Sequence, residues 1–202
     1  MKIRGQLLVI SAPSGGGKTT IVQEILKRFP AFRFSVSATT REKRKGETDG
    51  KDYFFLTRAE FEKKIADGDL VEHEEIYSNY YGTLKSEIEK ALTNGENIVF
   101  DVDVNGALSI KKKFPEAILI FVRPPTLEIL RNRLEGRGSE SAEQVNRRMA
   151  RVPMELEKGA GFDYIVINDD LKRAVDEVFE IVAKHLSQGS REKEYSGGTK
   201  AD

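Results

Sequence analysis

The sequence predicts an α/β fold in which helices cover both faces of a parallel sheet. Two observations carry this. Short apolar runs recur at 6–10 (QLLVI), 32–36 (FRFSV), 97–102 (NIVFDV), 117–122 (AILIFV) and 163–167 (DYIVI). Several are apolar on both faces, as strands inside a parallel sheet must be. Helical spacing fills most of the intervals between them, and strands alternating with helices build parallel sheets. At 202 residues, 39% of them apolar, the chain suits one core with inserted lobes.

The first run leads through SAPSGGGKTT (11–20) into a helical stretch, KTTIVQEILKRF. This is the setting of a phosphate-binding loop, G-x-x-x-x-G-K-[ST], and it makes the fold a P-loop NTPase type. Ala12, Pro13, Ser14, Gly15, Gly16, Gly17, Lys18, Thr19 and Thr20 form the candidate triphosphate cradle. Glycines let main-chain N–H groups converge, and the helix N-terminus adds about half a positive charge. Lys18 can reach the β- and γ-phosphates, and the Thr19 hydroxyl can ligate Mg²⁺. Ala12 stands where the pattern has its first glycine. Alanine gives up easy access to positive φ, which matters little if the position is extended or helical.

Residues 37–83 are polar, charged and tyrosine-rich, too long for a plain loop, and are expected to form an inserted lobe. Arg41 and Arg44 carry planar forks that match phosphate oxygens. Glu72, Tyr81 and Thr83 follow in VEHEEIYSNYYGT. A carboxylate facing guanine meets two N–H donors, at N1 and at the exocyclic amine, whereas adenine presents a lone pair at N1. Such sites reject the wrong partner by about 10⁴-fold. Each of these residues taken alone also fits a solvated charged surface.

The third run ends in Asp101, with Asp103 two residues on, and in a strand that spacing puts both on one face. A carboxylate there can organise a metal's water shell. Residues 136–147 begin with Gly136 and Gly138 and read as a mobile lid. Asp169 and Asp170 are N-cap candidates for a last helix marked by Leu171, Ala174, Val175, Val178, Val182 and Leu186. Residues 188–202 are polar and read as a disordered tail.

Composition narrows the function. The chain has 33 basic and 33 acidic residues, so no net charge draws it to nucleic acid or an anionic membrane. There is no cysteine, hence no disulfide or thiolate metal site. His73 and His185 are too far apart in sequence to suggest a metal centre. The apolar runs are too short to span a bilayer, and no signal peptide is legible. A soluble, cytoplasmic chain is expected.

Five stretches in order, SAPSGGGKTT, FSVSATTREKRKGETDGKDYFF, EHEEIYSNYYGT, FDVDVNGA and RLEGRGSES, resemble bacterial guanylate kinases, over about residues 5–187. Alanine at the first loop position also occurs in that family's bacterial members. The resemblance implies transfer of the γ-phosphoryl of ATP to GMP with Mg²⁺. It implies a core of 1–36 and 84–187, a GMP-binding lobe of 37–83 and the lid. Ser37, Glu72 and Asp103 would recognise guanine. Arg41, Arg44, Tyr53 and Tyr81 would grip the GMP phosphate. Thr83 stands where some relatives carry serine, and either hydroxyl could bond guanine. Thr19, and Asp101 through water, would hold the metal. Arg133, Arg137 and Arg148 match lid arginines, which with Lys18 and Arg41 would serve catalysis, and Asn168 would contact adenine.

Three rivals have discriminating features. A peptide-binding scaffold domain of this type typically lacks an intact phosphate loop. A kinase of another nucleoside monophosphate would not need the Glu72 and Asp103 pair. A nucleic-acid-binding ATPase would carry a basic-aromatic stripe. Oligomeric state is not legible.

Overall fold

A computed structural model describes residues 5–76, 78–136 and 141–196. In chain order the elements are β1 (Leu7–Ser11), α1 (Lys18–Arg28), β2 (Phe32–Phe34), β3 (Ser37–Thr39), β4 (Phe54–Phe55), α2 (Arg58–Ala66), β5 (Leu70–Ile76) and β6 (Asn79–Leu84). Then come α3 (Lys85–Asn94), β7 (Asn97–Asp101), α4 (Val104–Lys113), β8 (Ile118–Arg123), α5 (Leu127–Glu135), α6 (Ala142–Gly159), β9 (Tyr164–Ile167) and α7 (Leu171–Ser196).

The five apolar runs become one parallel sheet in the order β2-β7-β1-β8-β9. Alternate side chains leave it on opposite faces. Leu8, Ile10, Val99 and Ile120 pack with Ile21, Val22 and Ile25 of α1 and with Val175, Val178 and Val182 of α7. Leu7, Val9, Phe100 and Phe121 pack with Ile88 of α3 and with Val104, Ala107 and Ile110 of α4. Both layers are buried, which is why these strands read as apolar runs. Each buried Val, Ile or Leu is worth about 1.5–3 kcal/mol.

From β1 the chain passes to the β2 edge, and later it crosses from β7 over β1 to β8. The crevice beyond the strands' carboxyl ends at such a reversal is where ligands bind in open α/β sheets. Ile10 pairs with Asp101 there, so the loop after β1 and the end of β7 lie side by side.

Residues 37–84 build a second sheet, β4-β3-β6-β5. It has its own apolar centre of Ala38, Phe61, Leu70 and Leu84. Phe61, on α2, is fully buried, and Phe61→Ala should cost about 3–5 kcal/mol. A Thr57–Glu60 capping box starts α2. The sheet's opposite face is polar. Ser37 and Glu72 both pair with Thr83, and Glu74 pairs with Tyr81, so period-2 alternation gathers these side chains on one surface.

One expectation needs correction. α7 continues to Ser196, where residues 188–202 read as disordered. The straight-chain residues of REKEYS have high helix propensity, and here that outweighs their polarity. α5 stops at Glu135 with Gly136 as its C-cap. Arg137 and most of the expected lid's first half lie outside the described residues. Among the described residues no helix is long and apolar enough to cross a membrane.

Candidate active site

The loop after β1 closes on itself through Gly16 N–H to the Pro13 carbonyl at 2.8 Å. Gly17, the N-cap of α1, is left-handed at φ 94° and provides no side-chain cap. Side chains do close α2, α4, α5 and α6, through Thr57, Asp103, Thr126 and Ser141. The first N–H groups of α1 therefore stay open toward the cleft, with the helix's positive end behind them. Ala12 is buried and its φ is not positive, so the methyl group costs the loop nothing in backbone strain.

A Cβ on Gly17 would stand 2.3 Å from Asn168 Nδ2. Gly17→Ala should combine about 1–2 kcal/mol of left-handed strain with displacement of Asn168. A lower melting temperature together with a raised KM for ATP would show both effects.

Lys18 Nζ lies 2.5 Å from Asp101 Oδ1 and donates to the Val102 carbonyl at 3.0 Å. The Thr19 hydroxyl donates to Asp101 Oδ2 at 3.0 Å. One carboxylate thus holds both polar side chains at the start of α1. Arg148 donates to Ser14 Oγ at 2.8 Å. Buried Asn168 donates to the Gly16 carbonyl at 2.9 Å, and Arg133 donates to the main-chain carbonyl of Asn168 at 2.8 Å. Pro13, Gly15 and Thr20 line one hollow with Ser14, Lys18, Thr19 and Arg148, whereas Arg133 and Asn168 do not line it.

Two cavities of about 240 Å³ each adjoin at this point. One is walled by the loop. The other contains Ser37, Tyr53, Glu72, Tyr81, Asp101 and Asp103. Ser14, Lys18, Ile76 and Arg148 line both. Arg41 and Arg44 border a neighbouring hollow with Tyr53, Tyr81 and Asp101. Arg41 forms a two-point pair with Glu47, at 2.7 and 3.1 Å, and lies over the Tyr53 ring at 5.3 Å. Burial raises the Tyr53 hydroxyl above its usual pKa, so it remains a donor.

Glu72 is 9% exposed. Burial pushes its carboxyl up to about 7, against the opposing hydrogen bond from Thr83 and with Asp103 and Glu74 adding to the rise. The fully buried Thr83 hydroxyl donates to Glu72 Oε1 at 2.6 Å. A Cβ on Gly106 would stand 2.8 Å from Glu72 Oε2, so only glycine lets the carboxylate approach the first turn of α4. Asp103 caps that helix by accepting from Gly106 N–H at 2.8 Å. Two carboxylates therefore share one helix N-terminus.

Sequence reasoning missed four charged residues here. Glu47 holds Arg41. Arg151 and Glu155 line the loop cavity, and Glu74 lines the other. The signal for Glu155 was present: Val145, Val152, Glu155 and Gly159 form the buried stripe of α6, and a glutamate in an apolar stripe asks for a reason.

A strand-loop-helix cradle at the reversal point of a parallel sheet, with amine, hydroxyl and carboxylate converging on it, defines a P-loop nucleotide-binding protein. The second cavity adds room for another substrate. The family model described as Guanylate kinase matches residues 4–185. The guanylate kinase of Chlorobaculum tepidum is 49% identical over 186 residues, covering 92% of this chain and 95% of that protein. That of Chlorobium chlorochromatii is 50% identical, covering 86% and 92%. A crystal structure of guanylate kinase from Anaplasma phagocytophilum superposes with a TM-score of 0.75 at 30% identity, over 91% of this chain and 87% of that one. The chain belongs to the guanylate kinase family.

Proposed function

We propose how the residues of this cleft divide the reaction that the chain catalyses as a guanylate kinase, ATP + GMP → ADP + GDP. The observation that carries the division is the wall shared by the two cavities. Phosphoryl transfer needs in-line alignment and positive charge on the moving group. Lys18 and Arg148 stand on that wall, between a cradle for a triphosphate and a pocket lined by carboxylates.

The open N–H groups of residues 14–19 bind the β- and γ-phosphates, and Asn168, assigned to adenine, also braces the loop at the Gly16 carbonyl. In the second cavity Glu72 and Asp103 accept from the two N–H donors of guanine, beside Ser37. Thr83 acts through Glu72, since its proton is committed to that carboxylate. Arg41, Arg44, Tyr53 and Tyr81 hold the GMP phosphate. Arg41 is already oriented by Glu47, which lowers the ordering cost of binding. Arg133 and Arg137 are assigned to the lid over the triphosphate from the motif RLEGRGSES, and Arg148 joins them from α6.

Thr19 and Asp101 are hard oxygen donors 3.0 Å apart. That donor set fits Mg²⁺, which takes one or two protein oxygens and completes its shell with water and phosphate. Thr19 would hold the ion directly and Asp101 through water, and the ion would neutralise charge on the terminal phosphates. Free nucleotides as substrates suit a cytoplasmic enzyme.

Release of ADP from ATP, measured with GMP, AMP, UMP and CMP in turn, tests this reading. Turnover with GMP alone supports it. A preference for AMP would overturn the guanine assignment of Glu72 and Asp103.

A further inference from the structure

Arg151 is the least explained cation of the cleft. It lies on α6, three residues after Arg148, and its side chain is 24% exposed. Its guanidinium stands 3.5 Å from Asp103 Oδ2, 3.6 Å from Glu74 Oε1 and 3.6 Å from Glu155 Oε1. These partners belong to different bodies. Asp103 is the N-cap of the core helix α4, Glu74 is on the lobe strand β5, and Glu155 is on α6 itself. Burial raises the Glu155 carboxyl above its usual pKa, against the opposing pull of Arg151 and of the Ser14 N–H of the phosphate loop.

The distances are those of ion pairs, while charge-assisted N–H···O bonds close to about 2.7–2.9 Å. Among the described residues Asp103 Oδ2 and Glu155 Oε2 are buried acceptors with no hydrogen bond. Asp103 Oδ2 is therefore an open acceptor less than about 1 Å short of a bond from Arg151.

We propose that Arg151 is a positioning residue that couples the two nucleotide sites, by drawing the lobe, the guanine-facing Asp103 and the phosphate loop together as both substrates bind. Three carboxylates share this one guanidinium, and Glu72 lies beside them. With the cation removed, their mutual repulsion opposes closure of the lobe. With it in place, closure completes bonds on three sides at once. An arginine suits this better than a lysine, because its planar fork presents five donors in fixed directions. The inference rests on the substrate assignments above.

The test measures GMP binding by calorimetry, with and without a non-hydrolysable ATP analogue, in wild type, Arg151→Met and Arg151→Lys. Wild type should bind GMP at least about 5-fold more tightly with the analogue present. Arg151→Met should bring that ratio close to one, while each nucleotide alone binds within a few-fold of wild type. Arg151→Lys, keeping the charge but not the fork, should recover part of it. If Arg151→Met does not fold, Glu74→Gln, which removes the lobe-side charge and keeps an oxygen for Asn105 Nδ2, should also shrink the ratio. A wild type with no coupling, or a ratio unchanged in these variants, would overturn the proposal. Failure of wild type to bind GMP at all would instead overturn the site assignment, so the two failures are distinguishable.

Discussion

Lys18→Met is expected to slow phosphoryl transfer to GMP by about 10²–10³-fold, with a small change in KM for GMP. Methionine keeps the length of the side chain and removes its charge. Two consequences add. The moving phosphoryl loses its nearest fixed cation. Asp101, which Lys18 pairs with at 2.5 Å, loses its partner and is left with Thr19 alone. Measured kcat and KM for each substrate separate these effects from a general loss of fold, since melting temperature should move little at this partly exposed position. Transfer to GMP undiminished in Lys18→Met would remove the basis for treating residues 14–19 as the triphosphate cradle.

Glu72→Gln should separate activity from stability. The amide presents a donor where guanine also presents donors, so kcat/KM for GMP should fall by about 10²–10³-fold, with KM for ATP changed far less. Stability should move the other way. The carboxyl is raised to about 7 by burial. Between its usual value near 4.5 and about 7 the folded chain holds a proton that the unfolded chain has lost, so stability falls as pH rises through that range. The full penalty, of order 3 kcal/mol at 1.36 kcal/mol per pH unit, applies above it. Glutamine carries no such charge, and Thr83 can still donate to its oxygen. Glu72→Gln should therefore melt a few degrees higher than wild type at pH 8 and show no such gain at pH 4. The same titration governs binding, because only the ionised carboxylate accepts two N–H donors. The ratio of wild-type to variant kcat/KM for GMP should rise with pH up to about 7 and level off beyond. A flat ratio would mean that Glu72 does not face the base.

How much of this was legible in the sequence follows from whether each feature is local. The five strands of the large sheet were, because burial on both faces leaves a run such as Leu7–Ile10 with no polar interruption. The phosphate loop was, because its geometry is set within ten residues by Gly15, Gly16 and Gly17 and by the helix they open. The interior of the 37–83 lobe was not. β3 and β4 are three and two residues long, too short for any period to register, and in the charged helix α2 Phe61 and Ile65 are the two large apolar residues. The meeting of Glu72 with Thr83 and Gly106 depends on pairing between β5 and β6 and on the docking of α4, and neither is written in local spacing. Arg151 resembles any surface arginine until the fold brings Glu74 from 77 positions earlier against it. The helical tail was misread because polarity was weighed above helix propensity.

Crossed binding measurements on two variants test the central claim most directly, that one cleft holds two nucleotides on opposite sides of the Lys18 wall. By calorimetry, Glu72→Gln should weaken GMP and leave a non-hydrolysable ATP analogue bound nearly as in wild type, while Lys18→Met should weaken the analogue and spare GMP. Equal loss of both ligands in either variant would contradict the assignment of separate subsites.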